Sequence, residues 1–322
     1  MEQQKDSFEL FIPSDEENKI LYSLNETYAA HCLMSKEERE FLNAIILRSQ
    51  PKKLLEVGVF EGGSSVIMLN AIKNNKESRL FSIDYAEKCS PEKKIGYIVD
   101  FYSNLSDRWT LFTGGLSLKF MEVIGGDIDM CLIDTVHSNP GEILDILMVL
   151  PFLKDDALIV FHDVNNHTTS GKFAECNTYA GITNNLLFSA ISGKKYIQGN
   201  FIDHSPIPTM ENCYYFPNIG AIKIDYETKK RAFDIFNLLT LKWMYLPSKE
   251  EEQDIINFFT KYYDEYFVRY LKKVFFYHRE CYEYATDLNH ISMNYLLRQI
   301  IKKILGKKTV MKIRKMKNNI HK

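Results

Sequence analysis

Residues 52–65 read KKLLEVGVFEGGSS. A short apolar run, Leu54–Leu55, reaches Glu56 and then gives way to Gly58, Gly62 and Gly63; an apolar, helix-compatible segment follows from Val66 to Ile72. Strand, glycine turn and helix in that order open a nucleotide-binding α/β unit. Gly58 gives access to backbone conformations closed to other residues, and Gly62–Gly63 let a ligand approach the main chain with no Cβ in the way. Ser64 or Ser65 can cap the following helix, whose amino end attracts anionic groups. Two common fingerprints fail here. The dinucleotide pattern G-x-G-x-x-G needs glycine where Phe60 stands, and a P-loop needs lysine where Ser64 stands.

The pattern E-x-G-x-x-x-G-G-S, Glu56 to Ser64, resembles motif I of class I S-adenosylmethionine-dependent methyltransferases. The resemblance implies that Glu56, Gly58, Gly62 and Ser64 hold the methionine end of S-adenosylmethionine. Residues 79–84, RLFSID, form a second expected strand that ends on an acid about 28 residues after Glu56. An acid at the carboxyl end of the neighbouring strand can accept both ribose hydroxyls of a nucleoside, and Asp84 matches the family's ribose-binding acid. Trp109–Thr113 is a third expected strand, followed by Gly114-Gly-Leu-Ser117. In related methyltransferases this turn lies beside the adenine, which makes Gly115 and Ser117 cofactor candidates.

Residues 128–134, IDMCLID, and 157–163, ALIVFHD, read as buried parallel strands ending on Asp134 and on His162–Asp163. Carboxyl ends of parallel strands line one edge, so the three side chains can converge above the glycine loop. Two carboxylates and a neutral imidazole suit a hard divalent cation such as Mg2+. Such a cation would bind a substrate hydroxyl and lower its pKa. His137, three residues after Asp134, is the favoured general base, with Asp134 beside it as a catalytic candidate. The segment LIDTVHSNPGEILDILMVLPFLKDDALIVFHDV, 132–164, resembles metal-dependent sugar and antibiotic O-methyltransferases, and the methyltransferase-like family of cephalosporin hydroxylases. Many relatives have glycine after the first Asp, where Thr135 stands here. Several have two acids where this chain has His162–Asp163.

The remaining features set the class and the boundaries. The chain has 322 residues, 45% hydrophobic and 25% charged, which is enough for a packed core with an appendage. No basic-then-apolar leader pattern opens it, and no apolar run approaches the roughly 20 residues of a membrane span. Six scattered cysteines without a C-x-x-C pair argue for reduced thiols rather than a zinc site or disulfide framework. A cytoplasmic protein is expected. Residues 291–322 hold ten Lys or Arg and no acid; removing these from the net −2 leaves −12 on residues 1–290. Leu296, Leu297, Ile300, Ile301, Ile304 and Leu305 interleave with those basic residues, a pattern suited to an amphipathic helix on the inner membrane face. No nucleic-acid recognition module accompanies the charge.

The expected architecture is a Rossmann-like class I methyltransferase fold, a mostly parallel seven-stranded sheet with helices on both faces, plus a helical carboxyl-terminal region. Residues 1–34 form an arm, 35–226 the methyltransferase domain, 227–290 a helical region and 291–322 the basic tail. Capping boxes at Ser35–Glu38 and Ser248–Glu251 open helices. Further helices are expected over 91–105 and 229–242, and 164–220 reads as a loop-rich acceptor lid with a closing antiparallel strand over 218–225. An aromatic stripe that includes Phe259, Tyr262 and Tyr266 packs on the domain or on a second copy of the chain. The implied activity is methyl transfer to a hydroxyl of a sugar or sugar-containing acceptor. Two alternatives stay open, a hydroxylase-like enzyme on the same fold and a non-catalytic scaffold docking through its tail.

Overall fold

Three apolar strand segments, 54–57, 130–133 and 157–161, are buried on both faces, as parallel strands covered by helices must be. In the computed structural model, residues 7–165, 182–199 and 217–282 are described. The chain divides into two compact units, 1–271 and 272–322. The basic tail, 291–322, and the stretches 166–181 and 200–216 of the expected lid lie outside the described residues. Residues 272–282 of the second unit are helical.

The described residues of the first unit form an eight-stranded sheet, one strand more than the seven expected: β1 (Ser7–Phe11), β2 (Lys53–Val57), β3 (Arg79–Asp84), β4 (Trp109–Thr113), β5 (Ile128–Ile133), β6 (Leu153–His162), β7 (Lys194–Gln198) and β8 (Ile219–Lys223). They pair in the order β1-β7-β8-β6-β5-β2-β3-β4. β2 through β6 are mutually parallel, and β8 is antiparallel to both β6 and β7. The helices that matter below are α1 (Asp15–Tyr22), α2 (Lys36–Ser49), α3 (Gly63–Ala71), α4 (Leu118–Ile124), α5 (Gly141–Val149), α6 (Thr183–Ala190), α7 (Ala232–Leu238) and α8 (Lys249–Tyr262). This is the doubly wound arrangement expected of a class I methyltransferase, with the reversed strand where the sequence places it.

Chain order reverses direction between β2 and β5, which sit side by side with β3 on one flank and β6 on the other. Ligand crevices of open α/β sheets form at such a switch point, outside the carboxyl ends of the strands. Register brings those ends level: Val57 pairs with Ile133 and Ile83, and Ile133 with Phe161. The residues that follow, Gly58, Asp84, Asp134 and His162, therefore stand along one edge.

Three expectations need correction, and the amino-terminal arm, expected as an extended segment with a short helix, also joins the sheet. It contributes β1, which lies parallel to β7 at the edge, and helix α1, whose Asn43 contact from α2 (Asn43 Nδ2 to Glu17 O, 2.8 Å) ties it to the core. The segment read as loop contains α6 and β7; its short apolar stretches gain their order from packing on β6 and β8 rather than from local pattern. Residues 91–105 do not form one helix. A two-stranded ribbon (Lys88–Ser90 with Lys93–Lys94) is followed by a 3-10 turn and one turn of helix. Gly96 breaks the run: its φ is +68°, and a Cβ there would sit 2.4 Å from Trp109 Cη2. Residues 229–242 likewise divide, Tyr226–Lys230 and α7, with Asp225 capping the first.

Both capping boxes exist. Ser35 and Glu38 open α2, and Ser248 and Glu251 open α8. Within the first unit Phe259 of the aromatic stripe packs on Phe236 of α7 at 5.6 Å, beside Tyr263 at 5.1 Å and Phe267 at 4.7 Å, whereas Tyr266 is exposed. Tyr263 also donates to Leu147 O of α5 at 2.5 Å, which fastens this helical region to the Rossmann layer.

Candidate active site

The glycine loop is shaped by what surrounds it. Gly58 has φ +91°, and a Cβ on it would lie 1.7 Å from the carbonyl oxygen of Asp134. Only a residue without a side chain lets β2 and β5 end this close together. Glu56, two residues earlier, is completely buried. Ser64 and Ser65 at the start of α3 and Ser82 on β3 donate to it at 2.6, 2.7 and 2.6 Å. Burial pushes its carboxyl up to about 7 against the pull of these hydroxyls. Glu56 and Ser64, expected at the methionine end of the cofactor, thus bond each other; Ser64 lines a cavity and Gly62 caps α3.

Asp84 organises the other side of the loop. One oxygen accepts from the backbone N–H groups of Val59 and Phe60, both at 3.0 Å, and the other accepts from Ala86 N at 2.9 Å. It lines a cavity of about 660 Å³ together with Gly58, Gly115 and Ser117. That volume suits a nucleoside-sized ligand. Ser117 donates to Asp145 of α5 at 2.8 Å, and burial holds the Asp145 carboxyl up to about 6. The far wall comes from the segment between α7 and α8: Tyr245, Leu246 and Pro247, with Glu251 accepting from the Tyr85 hydroxyl at 3.0 Å. Sequence reasoning missed Asp145 and this wall. The Ser248 capping box places Glu251 on α8, yet nothing local says which way it faces.

A second cavity, about 280 Å³, shares the Gly58–Phe60 loop and Asp134 with the first. Its walls are His31–Met34 of the arm, and its floor is His137, His162 and Asp163. His162 Nδ1 is 3.2 Å from Asp134 Oδ1 and 3.6 Å from Asp163 Oδ1. His137 Nε2 is 3.0 Å from Asp163 Oδ2, and its Nδ1 is 3.3 Å from Glu142 Oε1. Asp163 and His137 both take left-handed backbone, φ 58° and 50°, which turns their side chains into the cavity. Asn218 donates to Asp163 at 2.8 Å, and Asn184 to Glu142 at 2.8 Å. Glu142, five residues after His137 and fully buried, was also missed, as were both asparagines.

The donor set fits a divalent cation. One ligand atom each from Asp134, His162 and Asp163 all lie within 4.8 Å of one another. His162 lies among carboxylates that are themselves largely buried, an arrangement that concentrates negative charge in one place. Burial opposes charge on both imidazoles, but the carboxylates win. His137 is raised to about 9 by Glu142, Asp163 and Asp134, and His162 well above its ordinary range by Asp163, Asp134 and Glu38. The same histidines outweigh burial at Asp134 and hold it below the usual carboxylate range.

These shifts carry a sign. Glu56, Glu142 and Asp145 bind protons more tightly folded than unfolded, so their contribution to stability is lost as pH rises from about 4.5 to about 7. His137 contributes fully below its unfolded value near 6.5 and loses that contribution as pH climbs through about 9. Both effects run the same way. The melting temperature in a cation-free buffer is expected to fall between about pH 5 and 9. A flat or rising thermal-shift curve across that range would contradict the charge pattern described here.

Residues 55–164 match the methyltransferase-domain family. Among solved structures, the O-methyltransferase of Bacillus cereus in complex with S-adenosylhomocysteine is 18% identical, with a TM-score of 0.45 over 66% of this chain and 93% of that one. TomG of Streptomyces achromogenes, an O-methyltransferase of tomaymycin synthesis in complex with S-adenosylmethionine, is 15% identical, with a TM-score of 0.45 over 67% and 92%. No curated protein matches the chain. Strand order and glycine loop agree with the family match, which likens residues 55–164 to a methyltransferase domain. Among the described residues, no helix is long and apolar enough to cross a membrane.

Proposed function

We propose that the protein transfers a methyl group from S-adenosylmethionine to a hydroxyl oxygen of a sugar or sugar-containing acceptor, with a divalent cation, Mg2+ or another, held by Asp134, His162 and Asp163. One observation carries this reading. The cation-competent cluster forms the floor of a small cavity that shares the Gly58–Phe60 wall with the larger, nucleoside-sized one. Donor and acceptor would meet at that shared wall.

When bound, the cofactor supplies an electrophilic methyl on its sulfonium, and the cation supplies a Lewis acid that lowers the pKa of an acceptor hydroxyl. The chain supplies position and proton handling. Asp84 and the loop amides it holds fix the nucleoside end, while Gly58 leaves room for close approach to the main chain. Direct displacement needs the hydroxyl oxygen held in line with the methyl, so positioning contributes much of the rate. A cation held by Asp134 and Asp163 would offset two of the three carboxylates that raise His137 toward about 9, leaving the Glu142 contact. His137 can then take up the hydroxyl proton, steadied at Nδ1 by Glu142.

Incubation with S-adenosylmethionine and a panel of sugar acceptors should give a singly methylated product by mass spectrometry, in equimolar amount to S-adenosylhomocysteine. Excess EDTA should abolish product while leaving S-adenosylhomocysteine binding by calorimetry intact. Full turnover in EDTA, with metal content verified as nil, would remove the cation and leave His137 acting alone.

A further inference from the structure

Among the described residues, three helices open with a Ser-x-x-Glu capping box, at Ser14–Glu17, Ser35–Glu38 and Ser248–Glu251. Glu17 pairs with Arg48 and Glu251 with the Tyr85 hydroxyl, both at partly open positions. Glu38 differs, because it is fully buried, behind the His162 that lines the second cavity. Its Oε2 accepts from Ser35 N at 2.5 Å and lies 3.5 Å from His162 Nε2. Asn218, which donates to Asp163, lies beside it as well.

The cap accounts for the place of Glu38 but not for its charge. Glutamine serves that position of a capping box equally well. A buried carboxylate is costly unless something compensates it, and the imidazole of His162 is what faces it. That imidazole uses its two nitrogens in opposite directions, Nε2 toward Glu38 and Nδ1 toward Asp134 and Asp163. A carboxylate behind a ligating histidine fixes the ring and the tautomer and raises the basicity of the ligating nitrogen.

We propose that Glu38 is a positioning residue, holding His162 through Nε2 so that Nδ1 is presented to a cation between Asp134 and Asp163. The inference rests on the cation reading above and adds a residue from α2, outside the sheet edge that supplies the ligands.

The test is Mn2+ binding, measured by calorimetry and by the paramagnetic resonance signal of free Mn2+, on the full chain. Glu38→Gln keeps the cap and the volume and removes the charge. It should weaken Mn2+ about ten- to a hundredfold and leave S-adenosylhomocysteine affinity unchanged. In a His162→Asp background the same substitution should no longer weaken Mn2+, because the group it acts through is gone. Should Glu38→Gln not fold, Glu38→Asp withdraws the carboxylate by one methylene and should likewise weaken Mn2+. Equal Mn2+ affinity in wild type and variant, or an equal loss in the His162→Asp background, overturns the role of Glu38 while the cation reading stands. No Mn2+ binding by the wild-type chain overturns both.

Discussion

Replacing Asp163 by asparagine should lower kcat by about a thousandfold, equivalent to about 4 kcal/mol of transition-state stabilisation. Asparagine tolerates the left-handed backbone at this position, φ 58°, and can still accept from Asn218. The variant should therefore fold, and its melting temperature checks that. What it loses is a full negative charge at the floor of the smaller cavity, 3.0 Å from His137 Nε2. Asp163 does not line the larger cavity, so S-adenosylhomocysteine affinity should stay as in the wild type. A loss confined to kcat places the residue with the acceptor and the proton. Retained turnover within about tenfold of wild type would remove Asp163 from the chemistry.

Gly58→Ala should be the most damaging single substitution in the loop. The left-handed φ of +91° costs about 1–3 kcal/mol for a residue with a side chain. The added Cβ would also lie 1.7 Å from Asp134 O, so the ends of β2 and β5 must part. A total destabilisation of about 3 kcal/mol or more is expected, with cofactor binding lost, since Asp134 and the loop line both cavities. Gly126→Ala is the control: its Cβ would meet nothing within 4 Å, and its melting temperature should barely move. Similar melting temperatures for the two variants would show that the loop yields where the packing says it cannot.

The centre of the sheet was legible because β2, β5 and β6 each announce themselves by an apolar run that ends on a polar residue. Leu54–Leu55 before Glu56, Ile128–Ile133 before Asp134 and Ala157–Phe161 before His162 follow that rule. Their common direction then brings those ends together without further information. What was not legible depends on distant segments meeting. β1 is a short edge strand whose order comes from β7, where Ser7 pairs with Lys194 and Phe11 with Gln198. Glu38 was seen as a helix cap, and periodicity says nothing of the histidine it faces. Gly96 stops a helix by crowding against Trp109, a contact no local pattern encodes. The asparagines Asn184 and Asn218 carry no motif at all; they matter because they donate to Glu142 and Asp163.

The wall that Tyr245, Leu246, Pro247 and Glu251 contribute to the larger cavity changes what counts as the smallest working piece of this protein. A fragment ending after β8 would contain every strand and the glycine loop, and by topology alone it would pass for a whole methyltransferase domain. It would also leave Tyr85 without its partner carboxylate and one side of the larger cavity open to water. Occupancy of that chamber and order in the segment from Tyr245 to Ile255 are then one linked equilibrium. Whatever fills the chamber tightens the segment, and whatever loosens the segment weakens the occupant by the same free energy.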